Sequence, residues 1–230
     1  MELFAIMAIM LYGVVLSYAL PPKRHFMVNV LCAAAIALFG MIAGLSLEDI
    51  GLSPSSAFSS IIPSVGIALI IAAGIFTASF IPRLRKYFKA EPVGKESRKY
   101  IAHTIALRIP LSTALLEEVL FRGVLLGLLI NTHGEVKALA IASLLFGLWH
   151  IFPTVSQLEK NGELANNLST KRHRDGAIAG VVLATSLAGA FFGVLRLWTG
   201  SLLTPWLVHW IINASGVIAS VHSNKHSQNQ

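Results

Sequence analysis

The sequence predicts an all-α protein, a polytopic membrane helix bundle of about seven transmembrane helices. Of its 230 residues, 55% are hydrophobic and 13% are charged, and the mean hydropathy is +0.70. Soluble domains contain about 25% charged residues, so this composition indicates an integral membrane protein. Seven apolar stretches reach or approach the length of about 20 residues that a helix needs to cross a bilayer. They are residues 3–20, 26–47, 61–81, 111–130, 136–153, 177–197 and 201–221.

Prolines are expected to end two of these helices. The first stretch begins with Glu2 and has no basic residues ahead of its apolar run. A signal peptide would have them, so we interpret this stretch as a retained span that ends at Pro21 and Pro22. The fifth stretch is short and runs from residue 136 through Trp149 to Pro153, which is expected to end it.

Basic residues lie mainly in alternate loops. Cytoplasmic loops of membrane proteins are enriched in Lys and Arg, so loops one, three and five are expected in the cytoplasm, with the N-terminus outside and the C-terminus inside. This clustering also argues against a nucleic-acid partner, although the formal net charge is +7. The 83–103 segment suits either contact with anionic lipid or a solvated linker. The basic residues are Lys23 and Arg24 in loop one; Arg83, Arg85, Lys86, Lys89, Lys95, Arg98 and Lys99 in loop three; and Lys160, Lys171, Arg172 and Arg174 in loop five.

The segment LLEEVLFRG, residues 115–123, places three charged side chains inside an apolar span. Removing a charge from water costs several kcal/mol or more unless it is paired. On a helix, Glu118 and Arg122 are four residues apart and can neutralise each other. Glu117 points about 100° away and has no such partner on its own helix. Glu117 is therefore a candidate general base.

Two later spans add polar groups. His150 ends the fifth span, whereas His209 and Asn213 are four residues apart on one face of the seventh. Each has a simpler structural interpretation: His150 suits the interface beside Trp149, and His209 with Asn213 suits an interhelical hydrogen-bonding pair. Ionisable groups inside a membrane are functional candidates because they cost stability. Together with Glu117, these residues favour one shared site.

This set contains the groups that peptide hydrolysis needs without a serine or cysteine nucleophile. Glu117 would polarise a water molecule that His150 shares or orients. His209 and Asn213 would donate hydrogen bonds to the oxyanion. Carboxylate and imidazole also bind zinc, but the sequence lacks HExxH. No cofactor is therefore expected, and zinc remains an alternative. Arg196 is interpreted as a snorkelling interface residue.

The same residues form three motifs of a known family. EExxxR lies at residues 117–122 (EEVLFR), FxxxH at 146–150 (FGLWH) and HxxxN at 209–213 (HWIIN). The chain therefore resembles the CAAX protease and bacteriocin-processing (CPBP, or Abi) family of intramembrane peptidases over about residues 111–215. The resemblance implies a conical active-site cavity in a helix bundle, and a multi-pass location that we expect to be the plasma membrane of a bacterium.

The motifs also suggest a division of the chain. Residues 101–222 would form the catalytic bundle, and residues 1–100 the N-terminal helices and basic loop without a recognised motif. Residues 223–230 are short and polar and are expected to be a disordered tail. If span four starts near Leu111, Glu117 lies roughly 9 Å into the membrane at 1.5 Å per residue, so the cavity is expected to open to the cytoplasm.

The resemblance also implies the roles of the motif residues. The catalytic residues would be Glu117, His150, His209 and Asn213, supported by Glu118, Arg122 and Phe146.

The expected function is an intramembrane endopeptidase that acts on a peptide or protein substrate near the membrane. Two other classes stay open. A noncatalytic scaffold or bacteriocin-immunity protein would not need its complete motif set, and a small proton-relaying transporter would spread its polar groups along a path. Cleavage that disappears in Glu117→Ala would distinguish the peptidase from both.

Overall fold

The computed structural model is all-helical and describes residues 2–21, 24–85, 88, 97–160 and 170–227. The helices are α1 (Glu2–Val14, continued by a π-helical turn, Val15–Ala19), α2 (His25–Ile42), α3 (Leu47–Ile50), α4 (Pro54–Phe80), α5 (Pro82–Arg85), α6 (residues 98–133), α7 (Glu135–Trp149), α8 (Ile151–Lys160), α9 (Lys171–Thr199) and α10 (Leu203–Ser227).

Five helical segments are long and apolar enough to cross a membrane, within the part of the chain described. They are Glu2–Ala19, His25–Ile42, Leu47–Phe80, Glu135–Lys160 and Lys171–Thr199. The prediction of a multi-pass helical protein is confirmed at this level. The other two predicted spans, 111–130 and 201–221, are helical in α6 and α10 but are not among the five. Each carries one of the three motifs, EExxxR in residues 111–130 and HxxxN in residues 201–221.

Helix α6 begins at Arg98, well before the predicted start near Leu111. It alternates between α-helical and π-helical segments, with Thr104–Ala114 and Val119–Leu125 in the π form. In a π-helix the carbonyl of residue i accepts from the N–H of residue i+5. Ile105 would therefore need an N–H from Pro110, which has none. The indole Nε1 of Trp210 donates to Ile105 O instead, at 2.7 Å.

The two proline predictions have different outcomes. Leu20, before Pro21, is extended (φ −90°, ψ 123°), so α1 ends where expected. The prediction for Pro153 is wrong, because the helix breaks earlier, at His150, and α8 runs through Pro153 to Lys160. Pro153 lies in the first turn of α8, where an N–H has no helical partner to lose.

Arg196 is buried rather than snorkelling to the interface. Its Nη2 donates to Glu48 O and Asp49 O at the end of α3, at 2.8 and 2.9 Å. Gly51 follows α3 with φ +83°, and a Cβ there would overlap the Arg196 guanidinium. The backbone conformation and the close approach both require glycine. The α3 turn is thereby held against the end of α9.

Two further predictions concern segments that the structure describes in part. Helix α10 continues to Ser227, five residues into the predicted tail, and residues 228–230 lie outside the described residues. Within the basic 83–103 segment, α6 already begins at Arg98, and residues 86–87 and 89–96 lie outside the described part. The choice between lipid contact and linker therefore stays a prediction, as does the division into domains.

The N-terminal helices pack on α6 through a buried polar chain. Tyr12 of α1 donates to Asn29 Oδ1 of α2 at 2.6 Å, and Asn29 Nδ2 donates to Ser112 Oγ of α6 at 3.1 Å. On the other side, Ser64 of α4 hydrogen-bonds Thr204 of α10 at 2.8 Å. In a membrane an apolar side chain gains little by contacting another helix rather than lipid, so hydrogen bonds of this kind help to hold the helices together. Helix α6 itself packs against both α2 and α10.

Candidate active site

Glu118 is the centre of the polar cluster. Its Oε1 accepts from Arg122 Nη1 at 3.2 Å, as the i, i+4 spacing predicts, and from His209 Nδ1 at 2.7 Å. The side chain of Glu118 is 1% exposed and that of Arg122 is 3% exposed. A buried carboxylate is tolerated when it is paired and hydrogen-bonded. Glu118 therefore joins α6 to α10 as well as pairing with its own helix.

Glu117 lies on the opposite side of the same imidazole. Its Oε2 is 3.8 Å from His209 Nε2, a distance that allows ionic attraction but is too long for a hydrogen bond. Like Glu118, it is buried. It has no salt bridge on its own helix among the described residues, as predicted. The two neighbouring carboxylates thus approach different nitrogens of His209.

Hydrogen bonding determines where His209 carries its proton. An ionised carboxylate can only accept, so Nδ1 of His209 must donate to Glu118. The Nε2 atom then has a lone pair if the ring is neutral and an N–H if the ring is an imidazolium. This is the atom that faces Glu117. Among the described residues, Nδ1 of His209 is thus engaged by a hydrogen bond, whereas Nε2 has only the longer approach to Glu117.

Aromatic rings enclose the Arg122 guanidinium. Its Cζ lies 4.0 Å from the ring centroid of Phe146 and 5.1 Å from that of Phe192. Both distances allow a cation–π interaction. Phe146 is the first residue of the FxxxH motif, so one residue of that motif contacts the last residue of EExxxR. Phe192, from α9, also stacks on His209, with centroids 4.9 Å apart and planes inclined by 15°.

His150 joins this cluster indirectly. Its Nδ1 donates to Phe146 O at 2.7 Å, because a carbonyl can only accept, and its ring meets those of Phe146 and Trp149 edge to face. Its described contacts are with these residues and not with Glu117. The bond at Nδ1 leaves Nε2 of the neutral ring as an acceptor. Phe146 thus connects His150 to Arg122.

Asn213 lies one turn beyond His209 on α10 and is half-buried. In the described part of the chain, no hydrogen bond joins its side chain to Glu117, Glu118 or His209. The predicted set is therefore assembled in part: Glu117, Glu118, Arg122 and His209 meet directly, and Phe146 contacts Arg122. His150 is one contact further away, and Asn213 is adjacent only along the helix.

Two tryptophans align α10 with α6. Trp206 Nε1 donates to Pro110 O at 2.8 Å, and Trp210 makes the corresponding bond to Ile105 O. His209 lies between them in sequence, so these bonds hold its register opposite Glu118. Residues 206, 209 and 210 share a helix face, and this spacing could have identified both tryptophans from the sequence. We find no comparable sequence signal for the stacking of Phe192.

A pocket of about 280 Å³ lies beside Glu118, between α4, α6 and α10. Apart from Glu118 and Ser201, its walls are glycine or apolar. The lining residues are Gly51, Leu52, Ala57, Leu115, Glu118, Val119, Ser201, Leu202, Leu203 and Trp206. Such a space accepts an apolar group next to the polar cluster.

A metal site would need several His, Cys, Asp or Glu side chains close together. Among the described residues, no group of three or more His, Cys, Asp or Glu side chains is placed to hold a metal ion. A catalytic zinc usually needs three protein ligands. The zinc alternative therefore has no ligand set in this part of the chain.

Comparison with known protein families identifies a related family. A family model described as "Type II CAAX prenyl endopeptidase Rce1-like" matches residues 100–215. The matched region contains all three motifs, most of α6, all of α7, α8 and α9, and about half of α10. No curated protein and no solved structure matches the chain.

Proposed function

This chain belongs to the Rce1-like family of type II CAAX prenyl endopeptidases, and on that premise we propose that it hydrolyses a peptide bond with water activated by Glu117. The family match confirms the resemblance to CAAX proteases. The observation that carries the mechanism is the unequal pairing of the two carboxylates. Glu118 bonds both Arg122 and His209, whereas the one ionic contact of Glu117 among the described residues is with His209 Nε2, at 3.8 Å. Glu117 is therefore the carboxylate that is free to take a proton.

The proposed reaction proceeds in two steps. A water molecule beside Glu117 attacks the peptide carbonyl carbon, and its proton passes to the Glu117 carboxylate as the new C–O bond forms. The carbonyl oxygen becomes an oxyanion. The tetrahedral intermediate then breaks its C–N bond, and Glu117 returns the proton to the departing amine. His150 would accept a hydrogen bond from the water at Nε2, since its Nδ1 is held by Phe146 O.

His209 is proposed to stabilise the oxyanion as an imidazolium. Because Nδ1 donates to Glu118, only the doubly protonated ring can also donate from Nε2. The charge count supports this form: two carboxylates, one guanidinium and one imidazolium sum to zero, whereas a neutral ring would leave a buried net charge of −1. Asn213 would supply a second donor from its side-chain amide.

The substrate is proposed to be a peptide or protein at the membrane. The family description names CAAX prenyl substrates, and the apolar pocket beside Glu118 supports an apolar group next to the cleaved bond. We also propose that α6 and α10 cross the membrane with the five apolar segments, and that they border the predicted conical cavity. The N-terminus would then lie outside a bacterial plasma membrane, in accord with the loop charges.

Glu117→Gln tests the assignment of the base. Glutamine keeps the shape of the side chain but cannot take the proton, so we expect cleavage to fall below detection while the protein stays folded. The assay uses purified protein in detergent and an internally quenched, farnesylated peptide that ends in a CAAX sequence. Glu159→Gln is the matched control, because Glu159 is exposed and lies in α8.

The possible outcomes separate the alternatives. Cleavage by Glu117→Gln at the wild-type rate would refute the base assignment. If the wild-type protein cleaves other peptides but leaves the farnesylated peptide intact, the proposed prenyl substrate class is wrong while the proposed peptidase activity stands. Loss of wild-type activity on chelation, with recovery on addition of zinc, would favour the metal-dependent alternative.

A further inference from the structure

We propose that Phe192, which lies outside all three motifs, is a positioning residue that fixes the plane of the His209 imidazole. This inference rests on the proposed function for its catalytic consequence, but its structural part can be measured without a substrate. Phe192 belongs to α9, whereas His209 belongs to α10 and the two carboxylates to α6. A third helix would therefore take part in orienting the catalytic histidine.

The contact is a flat stack in a buried place. Phe192 is 3% exposed. Its ring and that of His209 are inclined by only 15° at a centroid separation of 4.9 Å. The Arg122 guanidinium also lies within 5.1 Å of the Phe192 centroid. Phe192 thus contacts both groups that donate to Glu118 Oε1.

The hydrogen bond to Glu118 alone does not fix the ring of His209. The terminal torsion of histidine is broad, and a ring held at Nδ1 can still tilt about that contact. A tilt would move Nε2, which lies on the far side of the ring and faces Glu117. Stacking against a buried aromatic face removes this freedom. Misplacement of a catalytic group by about 1 Å can cost about 100-fold in rate.

The ring face also has the electrostatic character that the site needs. The face of an aromatic ring carries partial negative charge, which attracts the Arg122 guanidinium that lies 5.1 Å from the ring centroid. An aliphatic residue of similar volume would fill the space but would supply neither the flat surface nor this charge distribution. Phe192→Leu therefore isolates the contribution of the ring.

The neighbouring residue provides a matched control. Phe191 is 41% exposed and its ring is tilted by 47° to that of Phe192. Phe191→Leu makes the same chemical change one position away. Phe192→Tyr retains the ring and serves as the conservative variant. Melting temperature in detergent is measured for all three proteins, so that a loss of folding is recognised separately.

The kinetic test uses the farnesylated CAAX peptide. We expect Phe192→Leu to lower kcat by about 10- to 100-fold with little change in KM, because the substrate still binds but Nε2 is misdirected. Phe192→Tyr should recover most of kcat, and Phe191→Leu should match the wild type. An unchanged kcat in folded Phe192→Leu, or equal losses in the two leucine variants, would overturn the proposal.

The structural test uses NMR of protein labelled with ¹³C-histidine. A ring stacked on phenylalanine has its carbon-bound protons shifted upfield, and the His209 signals are assigned by their loss in His209→Gln. We expect these signals to move downfield in Phe192→Leu but not in Phe191→Leu. Absence of an upfield shift in the wild-type protein would refute the stacking. If the peptide is not cleaved at all, the proposed function fails while this measurement still decides the inference.

Discussion

At the scale of single residues, the site depends on how charges are compensated inside an apolar bundle. Arg122 is the cation that makes two adjacent carboxylates tolerable, since it bonds Glu118 and is enclosed by Phe146 and Phe192. Breaking a buried pair by removing one partner leaves an uncompensated charge, which is more costly than the net value of the pair. Arg122 is therefore expected to support stability as well as activity.

Arg122→Ala is expected to lower the free energy of unfolding by about 3–5 kcal/mol, because Glu118 remains buried without its cation. The melting temperature and the yield of folded protein in detergent should both fall. Arg174→Ala is the control: the Arg174–Glu159 pair is long, at 3.8 Å, and exposed, so its loss should cost at most about 1 kcal/mol. Equal stability of the two variants would show that the Arg122 pair is not buried in the membrane-embedded protein.

At the scale of helices, α7 and α9 approach closely through glycines. A Cβ on Gly147 would lie 2.6 Å from Val182 O, and one on Gly189 would lie 3.1 Å from Ser143 Cα. Small residues allow membrane helices to gain van der Waals contact along their backbones. This packing sets the position of α9, and with it the position of Phe192 beside His209.

Gly147→Ala is expected to destabilise the protein by about 1–3 kcal/mol, because α9 must move away from α7 to admit the methyl group. Gly180→Ala makes the same change on α9 where a Cβ meets nothing within 4 Å, and it should be neutral or slightly stabilising. Thermal melting in detergent provides the comparison. Indistinguishable melting of the two variants would contradict the close packing of α7 on α9.

At the scale of the whole molecule, contacts between helix ends agree with the alternation predicted from loop charges. Glu2 pairs with His133 at 3.1 Å, which brings the N-terminus to the connection between α6 and α7. Ser156 donates to Ser17 O at 2.9 Å, which brings α8 to the end of α1. Leu202 N donates to Gly51 O at 2.9 Å, which joins the connection between α9 and α10 to the one between α3 and α4. Each contact joins regions that the charge pattern places on the same face.

The prediction that the cavity opens to the cytoplasm depends on where α6 starts. A start near Leu111 would lie about 9 Å before Glu117, whereas α6 starts at Arg98, roughly 28 Å before Glu117 at 1.5 Å per residue. The pocket beside Glu118 has Gly51 and Leu202 on its lining, from connections that the loop charges place outside. The orientation of the chain in the membrane therefore does not by itself specify how deep the site lies or from which face substrate would enter.

Cysteine labelling in intact cells tests that orientation. In a Cys32→Ala background, which removes the single native cysteine, Glu135→Cys should react with a membrane-impermeant maleimide added from outside. Glu159→Cys should react only after permeabilisation. Both residues are exposed and flank the same predicted span, α7 with α8, so each serves as the control for the other. The reverse pattern of reactivity would invert the proposed topology.

Features that depend on composition, or on neighbours along one helix, could be predicted from the amino-acid sequence. These are the apolar multi-pass architecture, the Glu118–Arg122 pair at i, i+4, the lack of a salt bridge from Glu117 to its own helix in the described part of the chain, and the three motifs that identify the family. Three other features became visible only in the packed helices: which nitrogen of His209 meets each carboxylate, the stacking of Phe192 on that ring, and the start of α6. Those features depend on the rotation and register of helices packed against one another, which are set by residues as far apart in the chain as Ile105 and Trp210. Helical spacing specifies a face of one helix, but it does not specify which helix that face will meet.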